Sequence, residues 1–149
     1  MLVLLRQLAV IRRRTGLSRG DRPRSLALRH VDAGSCNGCE HELTLVTNPF
    51  HDLQRFGLDI VASPRHSDAL LVTGVVTARM AGPLRAAYEA MPEPRLVVAL
   101  GDCALGCGVL ADASELAAPL EQLLEVDIRI PGCPPTPDTI AAAILEALR

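Results

Sequence analysis

The sequence predicts a three-layer α/β fold built on a mostly parallel sheet. Short apolar segments of strand length alternate with amphipathic segments of helical length from residue 25 onwards. One of them, Leu96–Leu100, is an unbroken apolar run, which is typical of a parallel strand that is covered on both faces. A chain of 149 residues suits one domain with a single sizeable core. Such an alternation places helices on both sides of one sheet, in the manner of flavodoxin-like domains.

The predicted elements follow one another in βα order. A first strand over Ser25–Val31 leads through a glycine-containing turn to a helix that reaches about Val46. A later helix, Ala78–Ala90, is followed by Pro92 and Pro94, which would close it. The other segments are predicted as strands over Leu58–Ala62, Ala69–Thr73, Leu96–Leu100 and Val126–Ile130, and as helices over Ser114–Leu124 and Pro137–Leu148.

Positive charge is concentrated at the start of the chain. All 15 basic residues are arginines, and the eight within residues 1–30 outweigh one aspartate to give +7. The other seven arginines face sixteen acidic residues, which gives −9. We therefore expect residues 1–24 to form an amphipathic, basic arm and linker that precedes an α/β domain over residues 25–149. The apolar positions within Leu2–Ile11 would let the arm lie on a membrane or on integral membrane subunits, or else pack on its own domain.

Composition excludes several classes of function. Aromatic residues make up only 2% of the chain, so base-stacking platforms for nucleic acid are not expected. The apolar run Leu2–Ile11 is interrupted by Arg6 and is too short to span a bilayer. The odd number of cysteines, five, and an opening without an export signal predict a reducing compartment. In such a compartment the cysteines are expected to be metal ligands or reactive thiols rather than disulfides. These features predict a cytoplasmic chain that does not cross the bilayer.

Four of the five cysteines follow predicted strands. Cys36 and Cys39 come after the first strand, Cys103 after Leu96–Leu100, and Cys133 after the last strand. Because ligands bind at the carboxyl edge of an open parallel sheet, where these loops emerge, we expect the four thiols to meet there. Four thiolates are the ligands of a [4Fe–4S] cluster, and two cysteines separated by two residues can hold adjacent corners of it.

Three other interpretations remain open at this point. A structural zinc site is one, although zinc modules usually present paired Cys-x-x-Cys knuckles. A redox-active dithiol formed by Cys36 and Cys39 is another, but it leaves Cys103 and Cys133 unexplained. The thiols could also be unrelated and buried. Cys107 lies four residues after Cys103 and is either a bystander or an alternative ligand.

Six short motifs occur in order between Leu26 and Leu148: DAGSCNGCE (32–40), SPRHSD (63–68), LVTG (71–74), MPEP (91–94), GDCA (101–104) and PGCPP (131–135). Together they resemble the cluster-bearing small subunit shared by complex I, the NADH:quinone oxidoreductase, and the membrane-bound, complex-I-like [NiFe] hydrogenases, including formate hydrogenlyase. The Cys-x-x-Cys spacing resembles the hydrogenase branch, since complex I subunits carry two adjacent cysteines there. Cys107 stands where the family commonly has glycine.

The resemblance implies one [4Fe–4S] cluster, held by Cys36, Cys39, Cys103 and Cys133, in a non-autonomous subunit of an oxidoreductase. It would pass single electrons between the catalytic centre of a large subunit and ferredoxin-like iron–sulfur subunits. The alternative is the equivalent subunit of a quinone-linked complex, with quinone binding nearby.

Carboxylates flank the first cysteine pair. Glu40 and Asp32 are close enough in sequence to a reducible cluster to couple electron gain to proton uptake. Acidic residues near a helix N-terminus are also simple partners of the helix dipole, so this role is an expectation to be tested.

Overall fold

One parallel sheet organises the part of the chain that the computed structural model describes, residues 25–112 and 114–147. The predicted arm over residues 1–24 lies outside these described residues. The strands are β1 (Leu26–Asp32), β2 (Leu58–Ile60), β3 (Ala69–Thr73), β4 (Leu96–Leu100) and β5 (Ile128–Ile130). The α-helices are α1 (Gly38–Leu45), α2 (Ala78–Glu89), α3 (Leu120–Leu123) and α4 (Pro137–Ala147), and short 3-10 helices cover Leu53–Phe56 and Pro64–His66.

The strand order is β2-β1-β3-β4-β5, and every pair of neighbours is parallel. This is the flavodoxin-like order, in which the direction of winding reverses between β1 and β3. The three-layer α/β class predicted from the sequence is therefore confirmed. The predicted bounds of β3 and β4 agree with the structure, whereas β2 and β5 are shorter than predicted.

The core lies on both faces of the sheet. Alternate residues of the strands point to opposite sides, so Leu71 packs in one apolar cluster and Leu70 and Val72 pack in the other. Helices α1 and α4 cover the first face, and α2 and α3 cover the second. All of β3 is buried, which explains why its sequence is continuously apolar up to Thr73.

The prediction of a helix over Ser114–Leu124 is wrong for most of this range, because only Leu120–Leu123 is helical. Backbone groups before Pro119 are used elsewhere: the Ala117 N–H donates to the Val76 carbonyl at 2.9 Å, and Glu115 accepts from Ala78 at 2.9 Å. Pro119 has no N–H to donate and so begins the helix rather than sitting inside it. The pairing with the loop after β3 outweighed local helix propensity.

No helix within residues 25–112 and 114–147 is both long enough and apolar enough to cross a membrane.

Leu71 at the centre of the sheet offers a test of this core. Its side chain is 0% exposed, so Leu71→Ala should leave a cavity and lower the free energy of unfolding by about 2–5 kcal/mol. Leu45 is 43% exposed, and Leu45→Ala should change it by no more than about 0.5 kcal/mol. Chemical denaturation of both variants measures the difference. Equal losses would contradict the described packing.

Candidate metal centre

The loops that carry the cysteines emerge side by side. The register of the sheet aligns Asp32 with Thr73, Thr73 with Leu100 and Leu100 with Ile130, so four strands end in one row. The loop after β1 contains Cys36 and leads into Cys39 on α1. The loops after β4 and β5 contain Cys103 and Cys133. Parallel register thus brings three segments that are distant in sequence to the same edge.

The first loop is shaped by its own backbone contacts. The Asp32 carboxylate accepts hydrogen bonds from the N–H groups of Gly34 and Ser35, both at 2.9 Å, which closes a tight turn after β1. Gly34 has φ +142°, and a Cβ there would lie 2.6 Å from a methyl carbon of Thr77. Asn37 adopts the left-handed conformation, with φ 68°, and α1 begins immediately after it. This places Cys39 in the first turn of the helix.

Close approaches between the loops show that the predicted ligands lie near one another. A Cβ on Gly101, at the end of β4, would lie 2.5 Å from the Cys39 sulfur. A Cβ on Gly38 would lie 3.6 Å from the Cys36 sulfur and 3.8 Å from the ring of Pro134. The first loop therefore contacts both the β4 loop and the β5 loop.

The electrostatics of Cys39 support the same arrangement. Burial, the Glu40 carboxylate and the neighbouring thiols of Cys103, Cys36 and Cys133 raise the pKa of Cys39 to about 12. All three other predicted ligands are thus near enough to act on it. The structure brings together the four cysteines that the sequence singled out.

The four thiols differ in exposure. Cys39 and Cys103 are half-buried, whereas Cys36 and Cys133 are exposed. A Cβ on Gly108 would overlap the Cys103 sulfur, so the backbone of the β4 loop wraps closely around that thiol. The thiols consequently form a site with a sheltered side and an open side.

Cys107 lies in the same loop as Cys103 but has different surroundings. It is exposed, its N–H donates to the Asp102 carbonyl at 2.9 Å, and its sulfur lies 3.5 Å from the same oxygen. Cys107 is not among the thiols that raise the pKa of Cys39. Cys107 therefore differs from the other four cysteines in that its backbone and its sulfur both contact the Asp102 carbonyl.

Soft thiol donors, glycines that admit close backbone approach and a location at the carboxyl edge fit an iron–sulfur cluster. Among residues 25–112 and 114–147, no three His, Cys, Asp or Glu side chains are close enough to share a single metal ion. A [4Fe–4S] cluster does not require its ligands to share one metal ion, because each of its four irons takes one thiolate.

The two carboxylates predicted beside the cluster have different environments. Asp32 is exposed and its carboxylate is used in the turn after β1. Glu40 follows Cys39, and its two carboxylate oxygens are buried with no hydrogen-bond partner in the described part of the chain. An oxygen of Glu40 lies 3.7 Å from Nε2 of His30, which is 2.9 Å from the hydroxyl of the buried Thr73. His30, Glu40 and Ile60 help to line an open cavity of about 340 Å³.

Three residues beside the site escaped the sequence prediction. His30 and Thr73 lie on adjacent strands, and only the sheet register brings them together. Asp102 precedes Cys103 within the GDCA motif, and its carboxylate accepts a hydrogen bond from Gly132, 30 residues away. The position of Asp102 next to a predicted ligand could have drawn attention to it. Its hydrogen-bond partner, Gly132, lies in another loop and could not be predicted from the sequence.

His30 predicts a pH dependence of stability. Burial lowers the pKa of His30 from 6.5, against the opposing effects of Glu40 and Asp32. The unfolded chain therefore takes up this proton at a higher pH than the folded chain does. The contribution to stability is complete above pH 6.5 and is lost as the pH falls through the lowered pKa.

We expect the free energy of unfolding of the cluster-free chain to decrease as the pH falls below 6.5. His30→Gln should weaken this dependence, because glutamine does not titrate. Denaturation of both proteins at several pH values compares the slopes. Identical slopes would contradict the assignment of the effect to His30.

Comparison with known proteins identifies the family. The family model described as "NADH ubiquinone oxidoreductase, 20 Kd subunit" matches residues 36–147. A probable membrane-bound hydrogenase subunit, mbhJ, of Pyrococcus furiosus is 43% identical over 119 residues, which are 80% of this chain and 71% of that protein. Formate hydrogenlyase subunit 7 of Escherichia coli is 41% identical over 114 residues, which are 76% of this chain and 45% of that protein.

Two solved structures have folds similar to that of this chain. A chain in the membrane-bound sulfane sulfur reductase, an archaeal respiratory membrane complex, has a TM-score of 0.69 at 29% identity, covering 97% of this chain and 71% of that chain. A chain of an NAD⁺-reducing [NiFe]-hydrogenase, at 22% identity and a TM-score of 0.61 over 78% of this chain and 87% of that one, shares the fold. The match over residues 36–147 and the identity to mbhJ establish that the chain belongs to the family of the 20 kDa subunit of NADH ubiquinone oxidoreductase.

Proposed function

We propose that this chain is the electron-transfer subunit of a membrane-associated [NiFe]-hydrogenase-type oxidoreductase and holds one [4Fe–4S] cluster. Cys36, Cys39, Cys103 and Cys133 would be the four ligands. The observation that carries the proposal is the approach of three cysteine-bearing loops at one edge of the sheet. When bound, such a cluster supplies a one-electron carrier.

The surroundings of the thiols suit this role. The half-buried pair, Cys39 and Cys103, would anchor the sheltered side, where low exposure limits access of water. The exposed pair, Cys36 and Cys133, faces outwards, where a partner subunit can approach.

The proposed partners are those that the family resemblance implies, and the similarity to subunits of a membrane-bound hydrogenase and of formate hydrogenlyase supports them. They are a large subunit that carries the catalytic centre, a ferredoxin-like iron–sulfur subunit, and integral membrane subunits that the basic arm over residues 1–24 would contact. No nucleic acid is included among them, because the acidic body and the scarcity of aromatic residues do not suit it. The resulting location is the cytoplasmic face of the membrane, as a peripheral subunit.

A quinone-linked complex is the second candidate, and the description of the family itself favours it. The Cys-x-x-Cys spacing of Cys36 and Cys39 and the identity to the hydrogenase subunits favour the hydrogenase type. Chemistry on hydrogen or quinone would belong to the large subunit in either case. In both, this chain holds and orients the electron carrier.

Metal and sulfide analysis tests the cluster. Protein purified anaerobically with its native partners should contain about four iron atoms and about four acid-labile sulfides for each copy of this chain, after subtraction of the partners' own clusters. Reduction should produce a paramagnetic signal that depends on this chain. Zinc in place of this chain's share of the iron, or the absence of any paramagnetic signal that depends on this chain, would refute the proposal in favour of a structural zinc or thiol-switch module.

Identification of the co-purifying large subunit separates the two candidate complexes. A large subunit with two Cys-x-x-Cys pairs for nickel, together with hydrogen-dependent reduction of the cluster, supports the hydrogenase type. A large subunit without these pairs, together with quinone-dependent oxidation, supports the quinone-linked type.

A further inference from the structure

We infer that Asp102 is a positioning residue that holds the Cys103 loop against the Cys133 loop, an assignment that rests on the proposed function. Asp102 is the second residue after β4, and it directly precedes Cys103.

Asp102 and Gly132 form a reciprocal pair of hydrogen bonds. The Asp102 N–H donates to the Gly132 carbonyl at 2.9 Å, and the Gly132 N–H donates to the Asp102 carboxylate at 2.6 Å. Gly132 directly precedes Cys133. The pair therefore joins the residue before one predicted ligand to the residue before another, across 30 positions of sequence.

This pair continues the sheet beyond its last regular hydrogen bond. The Gly101 N–H donates to the Ile130 carbonyl at 2.8 Å, and the Asp102 pair is the next link outwards. Gly132 has φ +139°, so the backbone of β5 has already turned away at this point. The β4 backbone also turns, at Gly101 with φ +88°. The side-chain carboxylate of Asp102 therefore accepts the hydrogen bond from the Gly132 N–H in place of a backbone carbonyl.

Asp102 also ties the far end of its own loop. Its carbonyl accepts from the N–H of Cys107 at 2.9 Å, which closes the loop around Cys103. Asp102, the residue before Cys103, therefore bonds both to Gly132 in the other loop and to Cys107 in its own loop. Loss of the carboxylate would leave the Gly132 N–H without this acceptor. The two loops would then be joined at Asp102 only by the backbone bond from its N–H to the Gly132 carbonyl, which weakens the link between them.

The chain contains a matched control at the opposite edge of the same two strands. The Asp127 N–H donates to the Val97 carbonyl at 3.0 Å, and the Val97 N–H donates to the Asp127 carboxylate at 2.7 Å. Asp127 thus links β4 to β5 with the same reciprocal pair, again across 30 positions, at the end of the sheet away from the cysteines. Its removal should weaken the fold without affecting the ligands.

The test compares Asp102→Ala, Asp102→Asn and Asp127→Ala in the intact complex. We expect Asp102→Ala to lose its cluster to an iron chelator about tenfold faster than wild type, the factor that corresponds to roughly 1.4 kcal/mol of lost interaction. Asp102→Asn keeps an oxygen acceptor for the Gly132 N–H and should restore the wild-type rate and the wild-type paramagnetic spectrum. Asp127→Ala should also lose its cluster at the wild-type rate.

Each other outcome has a defined meaning. A wild-type chain without iron and sulfide refutes the proposed function itself. A wild-type chain that holds a cluster, with Asp102→Ala releasing it at the same rate, refutes only the inference about Asp102. Equal acceleration by Asp127→Ala also refutes it, because the effect would then reflect general loss of stability.

Asp102→Glu covers the case in which the alanine variant fails to fold. It keeps the carboxylate but displaces it by one methylene group, so it should lose the cluster at a rate between wild type and tenfold faster. Circular dichroism checks that the variant is folded. A folded glutamate variant with the wild-type rate would count against a role in positioning.

Discussion

Replacement of any one of Cys36, Cys39, Cys103 and Cys133 by serine is expected to abolish the four-iron cluster, whereas Cys107→Ser should leave it intact. The four thiols lie around one edge of the sheet, and the exposed Cys107 is held by contacts to Asp102. Loss of one thiolate leaves one iron of a cubane without its protein ligand. Iron and sulfide should therefore fall from about four per chain to well below that number.

Cys107→Ser serves as the matched control for Cys103→Ser, because both residues lie in one loop only four positions apart. Iron, sulfide and the spectrum of the reduced protein are measured for all five variants, purified in the same way. Loss of the cluster with Cys107→Ser, together with its retention in Cys103→Ser, would reverse the assignment of the ligand from the β4 loop. Retention in all five would rule out a cysteine-ligated cubane.

Gly101→Ala is expected to prevent cluster binding and to destabilise the fold. Gly101 has φ +88°, and a Cβ there would lie 2.5 Å from the Cys39 sulfur. A left-handed backbone costs a residue with a side chain roughly 1–2 kcal/mol. The added methyl group would also displace the thiol on α1 or push the β4 loop away from it. Both effects act where two predicted ligands approach each other.

Gly106→Ala isolates the steric part of this prediction. Gly106 also has a positive φ, +77°, but a Cβ there would have no neighbour within 4 Å. This variant should lose roughly 1–2 kcal/mol of stability and keep its iron. The two variants are compared by denaturation and by iron content. Equal iron content in both would show that the approach of Gly101 to Cys39 does not limit cluster binding.

The sequence was most informative about the elements whose pattern depends on local chemistry. A buried parallel strand is continuously apolar, so β3 and β4 were predicted with their observed bounds. The helix over Ser114–Leu124 was predicted wrongly because its backbone groups pair with the loop after β3, a contact that no local pattern reveals. Strand β5 was predicted to begin two residues too early, at the apolar Val126, whereas the strand begins at Ile128 and ends at Ile130 as predicted.

For the candidate site, the four cysteines could be predicted without a structure, because thiol chemistry and placement after a strand are visible in the local sequence. Only the tertiary structure shows that Cys103 is among the thiols that raise the pKa of Cys39, and that Asp102 joins two loops. It also placed His30 beside Thr73 and Glu40. The physical reason is that hydrogen bonds and electrostatic interactions act over a few ångströms, and only the register of parallel strands brings residues 30 or more positions apart within that distance.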